Sequence, residues 1–101
     1  MLKNFRTYGL SVKFYRAAQK LNLPNYLKDQ LNRASSSICL NLSEGYGRVT
    51  LKDKRRFYRT AMGSLRECQA ILDISNISDQ EIIDLSDYLG ACLYKLSMWT
   101  S

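Results

Sequence analysis

An all-α protein, an antiparallel up-down-up-down four-helix bundle in one domain spanning residues 1–101, is the architecture that three features of the sequence predict. Apolar residues recur every three to four positions through four successive windows, the period of an amphipathic helix. A single Pro and five Gly leave too few turn-formers for an all-β chain of this length. The breaks between windows are short, and short connections in a bundle join antiparallel neighbours. One hundred and one residues hold one modest core, and a 46% hydrophobic content marks a folded chain rather than a disordered one.

The first helix is expected over about residues 4–22, with Leu10, Phe14, Ala17 and Leu21 as its core stripe. A second stripe, Phe5, Tyr8, Val12, Tyr15 and Gln19, points well away from the first. A helix with two apolar sides is either deep in its own bundle or faces another subunit. With only four helices no helix is enclosed by its own chain, so an intersubunit surface is the preferred reading. Pro24 is expected to end this helix, because the residue before a proline is pushed out of the helical region. Asn25 is then an N-cap for a second helix over residues 25–45. Its core stripe is Leu27, Leu31, Ala34, Ile38, Leu42 and Gly45. Ser35, Ser36, Ser37 and Asn41 are unusual within a helix; small hydroxyl side chains permit close helix approach and can bond to carbonyls one turn back. Glu44 falls on the outer side.

Gly45 and Gly47 suit the left-handed conformations that end helices. Thr50, with Asp53 three positions on, starts a third helix over residues 51–74 in the manner of a capping box. At about 100° per residue its apolar side collects Phe57, Ala61, Ser64, Leu65, Cys68 and Leu72. Lys52, Arg56, Arg59, Gly63 and Arg66, at i, i+4, i+7, i+11 and i+14, fall on the opposite pole, with Arg55 at its edge and Arg48 at the preceding turn. Ser78 and Glu81 form a second capping box, with Ile77 and Ile82 placed as a hydrophobic staple. They open a fourth helix over residues 79–99 whose inward positions are Ile82, Leu85, Leu89, Cys92, Leu96 and Trp99. Ile83, Gly90 and Tyr94 form its outward strip. All four helices are expected to be roughly 20 residues and about 30 Å long.

The stretch ASSSICLNLSEGYGR followed by RRFYRTAMGSLRECQAILD resembles the small four-helix-bundle proteins first described from intervening sequences within bacterial 23S ribosomal RNA genes. NLSEGYGR and GSLRE are specific as a pair. Ser43 departs from the usual alanine. The accessory variability protein of diversity-generating retroelements looks like a relative of that group. The resemblance implies a ring-like homo-oligomer, with a pentamer favoured, and for the retroelement relatives a partnership with a reverse transcriptase and its template RNA.

Enzymatic chemistry is not expected. The chain has no His, so the commonest general base is missing. Gly45 and Gly47 lack the spacing of a phosphate loop and a preceding strand. Glu44 and Glu67 are simplest as ion-pair partners of neighbouring arginines, and Ser64 has no base near it in sequence. Cys39, Cys68 and Cys92 fit no zinc spacing and read as small buried hydrophobes. No metal, cofactor or small-molecule substrate is therefore expected. No apolar run nears the roughly 20 residues of a membrane span, and MLKNFRTYGL has no signal-peptide core, so the expected location is the cytoplasm.

Charge carries the functional expectation. The net charge is +6 and unevenly placed: residues 48–73 hold seven cations and three anions, whereas residues 74–101 hold one and four. Such a basic segment points to an acidic partner. The expected partner is RNA or DNA, and the expected nucleic-acid contacts are Arg48, Lys52, Arg55, Arg56, Arg59 and Arg66, whose arginine content suits bidentate phosphate contacts. The expected oligomer interface is Phe5, Tyr8, Val12, Tyr15, Ile83 and Tyr94. The alternative is a scaffold whose charged faces serve only self-assembly or an acidic protein partner.

Overall fold

A computed structural model of the chain describes residues 5–99, the side chain of Trp99 excepted. Four α-helices, α1 Arg6–Gln19, α2 Asn25–Tyr46, α3 Leu51–Ile74 and α4 Gln80–Trp99, account for its regular structure, and no strand occurs among the described residues. Each helix packs against two others: α1 and α3 both touch α2 and α4, and the α2–α3 contact is the most extensive. The assembly measures 40 × 23 × 22 Å.

The helices are less equal in length than the sequence predicts. The start expected at Asn4 lies outside the described residues, and α1 stops at Gln19, five residues before Pro24. Its last turn tightens through Lys20 N–H to the Ala17 carbonyl and Leu21 N–H to Ala18. Leu21 and Leu23 then turn in to pack against the core. The Lys28 ammonium, one turn into α2, reaches back to the Gln19 and Leu21 carbonyls at 2.8 Å each. A cation there satisfies carbonyls that have no partner in their own helix. Pro24, rather than Asn25, is the N-cap of α2: its carbonyl accepts from Leu27 and Lys28, and no side chain caps the helix.

The α2 stripe is buried as expected, from Leu27 through Leu31, Ala34, Ile38 and Leu42 to Gly45. Ser35 and Ser36 bond to carbonyls one turn back, and Ser37 lies 2.9 Å from Ser64 of α3. The other seams are rotated from their expected positions. On α1 the buried residues are Thr7, Ser11, Phe14 and Ala18. Leu10, Ala17 and Leu21 flank that seam half-buried on one side, and Tyr8, Val12 and Tyr15 on the other. On α3 Tyr58 is buried in place of Phe57, together with Ala61, Leu65, Cys68, Ile71 and Leu72. On α4 the buried positions are Ile82, Ser86, Leu89, Leu93 and Ser97, with Leu85, Cys92 and Leu96 at the margin. The expected inward place of Trp99 falls outside the described side chains. Gly90 is not outward: a methyl built on it would meet Leu65 of α3 at 3.5 Å.

The connections differ from expectation for identifiable reasons. No glycine has a positive φ; Gly47 stands at −84° and Gly45 is buried within α2. Gly45 is required by close approach, since a Cβ there would lie 2.8 Å from the Tyr58 ring. Thr50 caps α3 as predicted, its hydroxyl accepting from Asp53 N–H at 3.1 Å. The left-handed position is Asn76, with φ 55°. Its N–H bonds to the Asp73 carbonyl, and Ile77 N–H reaches Leu72 at 3.0 Å, the paired closure that satisfies the last carbonyls of a helix. At the start of α4 the first-turn acceptor is Asp79, which takes the Glu81 N–H at 3.0 Å, and not Ser78.

Candidate nucleic-acid interface

Helix α3 begins at a turn whose neighbours are mostly cations, and the structure assigns those cations different duties. Lys52, Arg56, Arg59 and Arg66 are exposed along its outer pole, as the period predicts, while Arg55 and Arg48 are half-buried. Lys52, Arg55, Arg56 and Arg59 gather with Asp53 around a shallow surface depression of about 450 Å³. Arg66, almost two turns further along, lies outside it.

Two guanidiniums converge on one ring. Arg48 and Arg56 stand 4.7 and 4.6 Å from the centroid of Phe57. A cation over an aromatic face within about 6 Å is attracted by the ring quadrupole, worth about 0.5–1 kcal/mol where exposed. Phe57 is therefore a floor under two arginines rather than the core residue that the stripe predicts. Each of these arginines also has a carboxylate: Arg48–Glu44 at 3.0 Å and Arg56–Asp53 at 3.7 Å. These pairs are exposed, so each contributes about 0–1 kcal/mol. Lys52, Arg55, Arg59 and Arg66 make no ion pair among the described residues.

Lys54 belongs to folding. Its ammonium donates to the Tyr46 carbonyl at 2.9 Å, approaches that of Gly45 at 3.4 Å, and stands 5.7 Å from the Tyr46 ring. It closes α2 as Lys28 closes α1, each from the fourth position of the following helix. The helical period alone places Lys54 off the cationic pole and predicts no duty for it. The recurrence of a lysine four positions into two consecutive helices was the available signal.

The expected oligomer residues separate into different places. Phe5 is used inside the chain, stacked on Tyr46 at 4.8 Å and beside Tyr58 at 6.2 Å. Tyr8, Val12 and Tyr15 line a depression of about 320 Å³ between α1 and α2, beside the 68% exposed Leu40. Ile83 instead lines a depression of about 460 Å³ between α3 and α4, with Asp73 and Asp87 at its edge. Tyr94 is exposed on α4.

A second cationic pole was not singled out from sequence. Arg6, Gly9, Lys13, Arg16 and Lys20 are all exposed on α1. Arg6 is engaged with Tyr88, bonding its hydroxyl and lying 5.6 Å from its ring. Lys13 shares a depression with two carboxylates of α4, Glu81 and Asp84, without an ion pair to either, whereas the α3 depression holds one carboxylate among four cations.

The cysteines are free thiols. Cys68 is fully buried, whereas Cys39 and Cys92 are half-buried, which is less than the sequence predicts. Burial, aided by the nearby charges of Glu67 and Cys39, pushes the Cys68 thiol up to about 12, and burial likewise raises Cys39. None of the described helices is long and apolar enough to cross a membrane.

Comparison with protein families matches residues 3–90 to the family described as 23S rRNA-intervening sequence protein. Comparison with curated proteins and with solved structures finds no match.

Proposed function

The chain belongs to the 23S rRNA-intervening sequence protein family, and we propose that it is a non-enzymatic, homo-oligomeric four-helix bundle that binds RNA through the outer face of α3. In this reading neighbouring helices run antiparallel and the protein works in the cytoplasm. The observation that carries it is the group Lys52, Arg55, Arg56 and Arg59 around one depression holding a single carboxylate. A helix N-terminus disfavours cations by about 0.3–1 kcal/mol each at low salt. Lys54 has a folding duty that explains its place there; Lys52, Arg55 and Arg59 make no ion pair among the described residues, and Arg56 pairs only within α3, with Asp53 and Phe57. Contacts of this kind read backbone charge rather than sequence.

The oligomer rests on the apolar residues that α1 and α2 leave at their shared groove, Tyr8, Val12, Tyr15 and Leu40. A ring, pentameric by resemblance, would repeat the α3 row in every subunit and multiply its attraction for a polyanion. A reverse transcriptase carrying its template RNA is the nucleoprotein partner that the retroelement relatives bring to this reading.

Fluorescence anisotropy with a labelled RNA tests it. With about four phosphates neutralised per subunit, raising salt from roughly 0.05 to 0.2 M should weaken binding about fiftyfold for a single strand and about 150-fold for a duplex. Reversing Arg55, Arg56 and Arg59 to Glu should abolish binding at about 0.1 M salt while helicity and light-scattering mass stay unchanged. If the reversed protein binds equally, or neither protein binds at low salt, the row is a solvated face and the scaffold reading replaces this one. The doublet Tyr8→Glu and Val12→Glu should lower the oligomer mass with helicity retained; a wild-type monomer would end the assembly part.

A further inference from the structure

Resting on the reading that α3 carries the RNA contact, we infer that the RNA it takes is double-helical and seats against the helix backbone at Gly63. Two observations meet at this face. The first is the glycine itself. Gly63 is exposed in the middle of α3, between Arg59 one turn before and Arg66 one turn after. A methyl built there meets no atom of the chain within 4 Å, and its φ is not left-handed. Neither packing within the chain nor backbone conformation asks for glycine, which is a poor helix former. Gly45 and Gly90, by contrast, each have a neighbouring helix against them. The missing side chain at Gly63 leaves bare backbone between two guanidiniums, where an outside surface comes close.

The second observation concerns flat rings. Binding of single strands relies on exposed aromatic platforms on which successive bases stack. The two aromatics of α3 offer none: Tyr58 is 3% exposed, and Phe57 lies beneath Arg48 and Arg56. What the pole presents is a straight row of cations from Lys52 to Arg66 on a rigid rod, about 21 Å long at 1.5 Å per residue. A-form RNA offers the complementary surface, a wide and shallow minor groove with 2′-hydroxyls at its floor and phosphates along both rims. Bare backbone at Gly63 faces the floor, and the arginines on either side reach the rims. Gly9 on α1 is equally open, but Lys13, one turn on, shares its depression with Glu81 and Asp84, two carboxylates that repel a polyanion there.

The experiment titrates the full-length protein with an RNA duplex of about 16–20 base pairs, the span of roughly two minor grooves, and with one of its single strands. The duplex should bind at least about tenfold tighter at roughly 50 mM salt. Gly63→Leu should cut duplex affinity by about tenfold with helicity and mass as in wild type, whereas Gly9→Leu should leave affinity unchanged. Equal or tighter binding of the single strand, a harmless Gly63→Leu, or an equal loss from Gly9→Leu overturns the inference and leaves the RNA reading standing. A change of oligomer mass in Gly63→Leu also overturns it, because the notch would then seat a second copy of the chain. Failure of wild type to bind either RNA overturns the RNA reading itself, and the inference with it.

Discussion

Replacing Gly45 with alanine places a methyl group 2.8 and 3.0 Å from two ring carbons of Tyr58 and 3.1 Å from Cβ of Phe57. None of these atoms can yield cheaply. The Tyr58 ring is 3% exposed and packed in the core, and Phe57 Cβ is fixed to the α3 backbone. The two helices must therefore move apart at their most extensive contact. Overpacking of this kind costs about 1–3 kcal/mol. Alanine returns about 1 kcal/mol as the better helix former, and contacts this short on atoms this fixed put the clash in the upper part of that range, about 2–3 kcal/mol, so the net loss is about 1–2 kcal/mol. For a domain of this size that lowers the melting temperature by roughly 4–16 °C. Gly63→Ala is the internal comparison, because the same methyl meets nothing within 4 Å; it should stabilise by about 0.5–1 kcal/mol. Thermal unfolding followed by far-ultraviolet circular dichroism compares the two directly. A Gly45→Ala protein that melts at or above wild type would refute the close-approach account of this glycine.

Lys54→Ala should cost about 0.5–1.5 kcal/mol in chemical denaturation by freeing the last carbonyls of α2, yet should leave RNA binding nearly intact. Arg59→Ala should do the reverse. Asn76→Ala keeps the β-carbon but loses the short polar side chain that makes the left-handed region tolerable, and should lose up to about 1 kcal/mol, while Asn76→Gly, with no β-carbon there, should be neutral or slightly stabilising. Asp79→Ala should cost about 0.5–2 kcal/mol and Ser78→Ala almost nothing, since Asp79 accepts the first-turn N–H of α4. The Cys68 thiol is held up at about 12 in the folded chain against an ordinary value of 9.0, so the fold favours its neutral form. Stability from this group is complete below pH 9 and fades as pH climbs toward 12; the alkaline decline should be smaller in Cys68→Ala, and native Cys68 should resist alkylation near neutral pH.

The outer face of α3 was the most legible part of the site. Lys52, Arg56, Arg59 and Arg66 need only the helical period to share a pole, and the partners that Arg56 finds, Asp53 and Phe57, lie on the same helix. The duties of Arg48, Lys54 and Phe57 were not legible. Each depends on where the end of α2 lies relative to α3, and local periodicity carries no information about that distance. The duty of Lys54 is hidden from the sequence because its partners, the carbonyls of Gly45 and Tyr46, become available only when α2 stops beside it.

Four helices, the extent of α3, the Thr50 cap and the whole α2 stripe follow from local sequence. Each rests on interactions within a few residues: a period, a cap, a run of apolar side chains. The tertiary structure alone decided which residues occupy the centre of the other seams. Ser11, Ser35 and Ser86 are buried where a hydrophobic count would place leucines. Ser11 and Ser35 satisfy their hydroxyls on carbonyls of their own helices, and Ser86 accepts from Gln69 of α3. A hydroxyl satisfied in this way carries little penalty for burial, and its small size lets a neighbouring helix approach. Larger apolar residues such as Leu10 and Leu85 are then displaced to the margins of their seams. Whether a serine is buried or exposed therefore depends on the partner helix, and the same constraint governs Gly45 and Tyr58 at the α2–α3 contact.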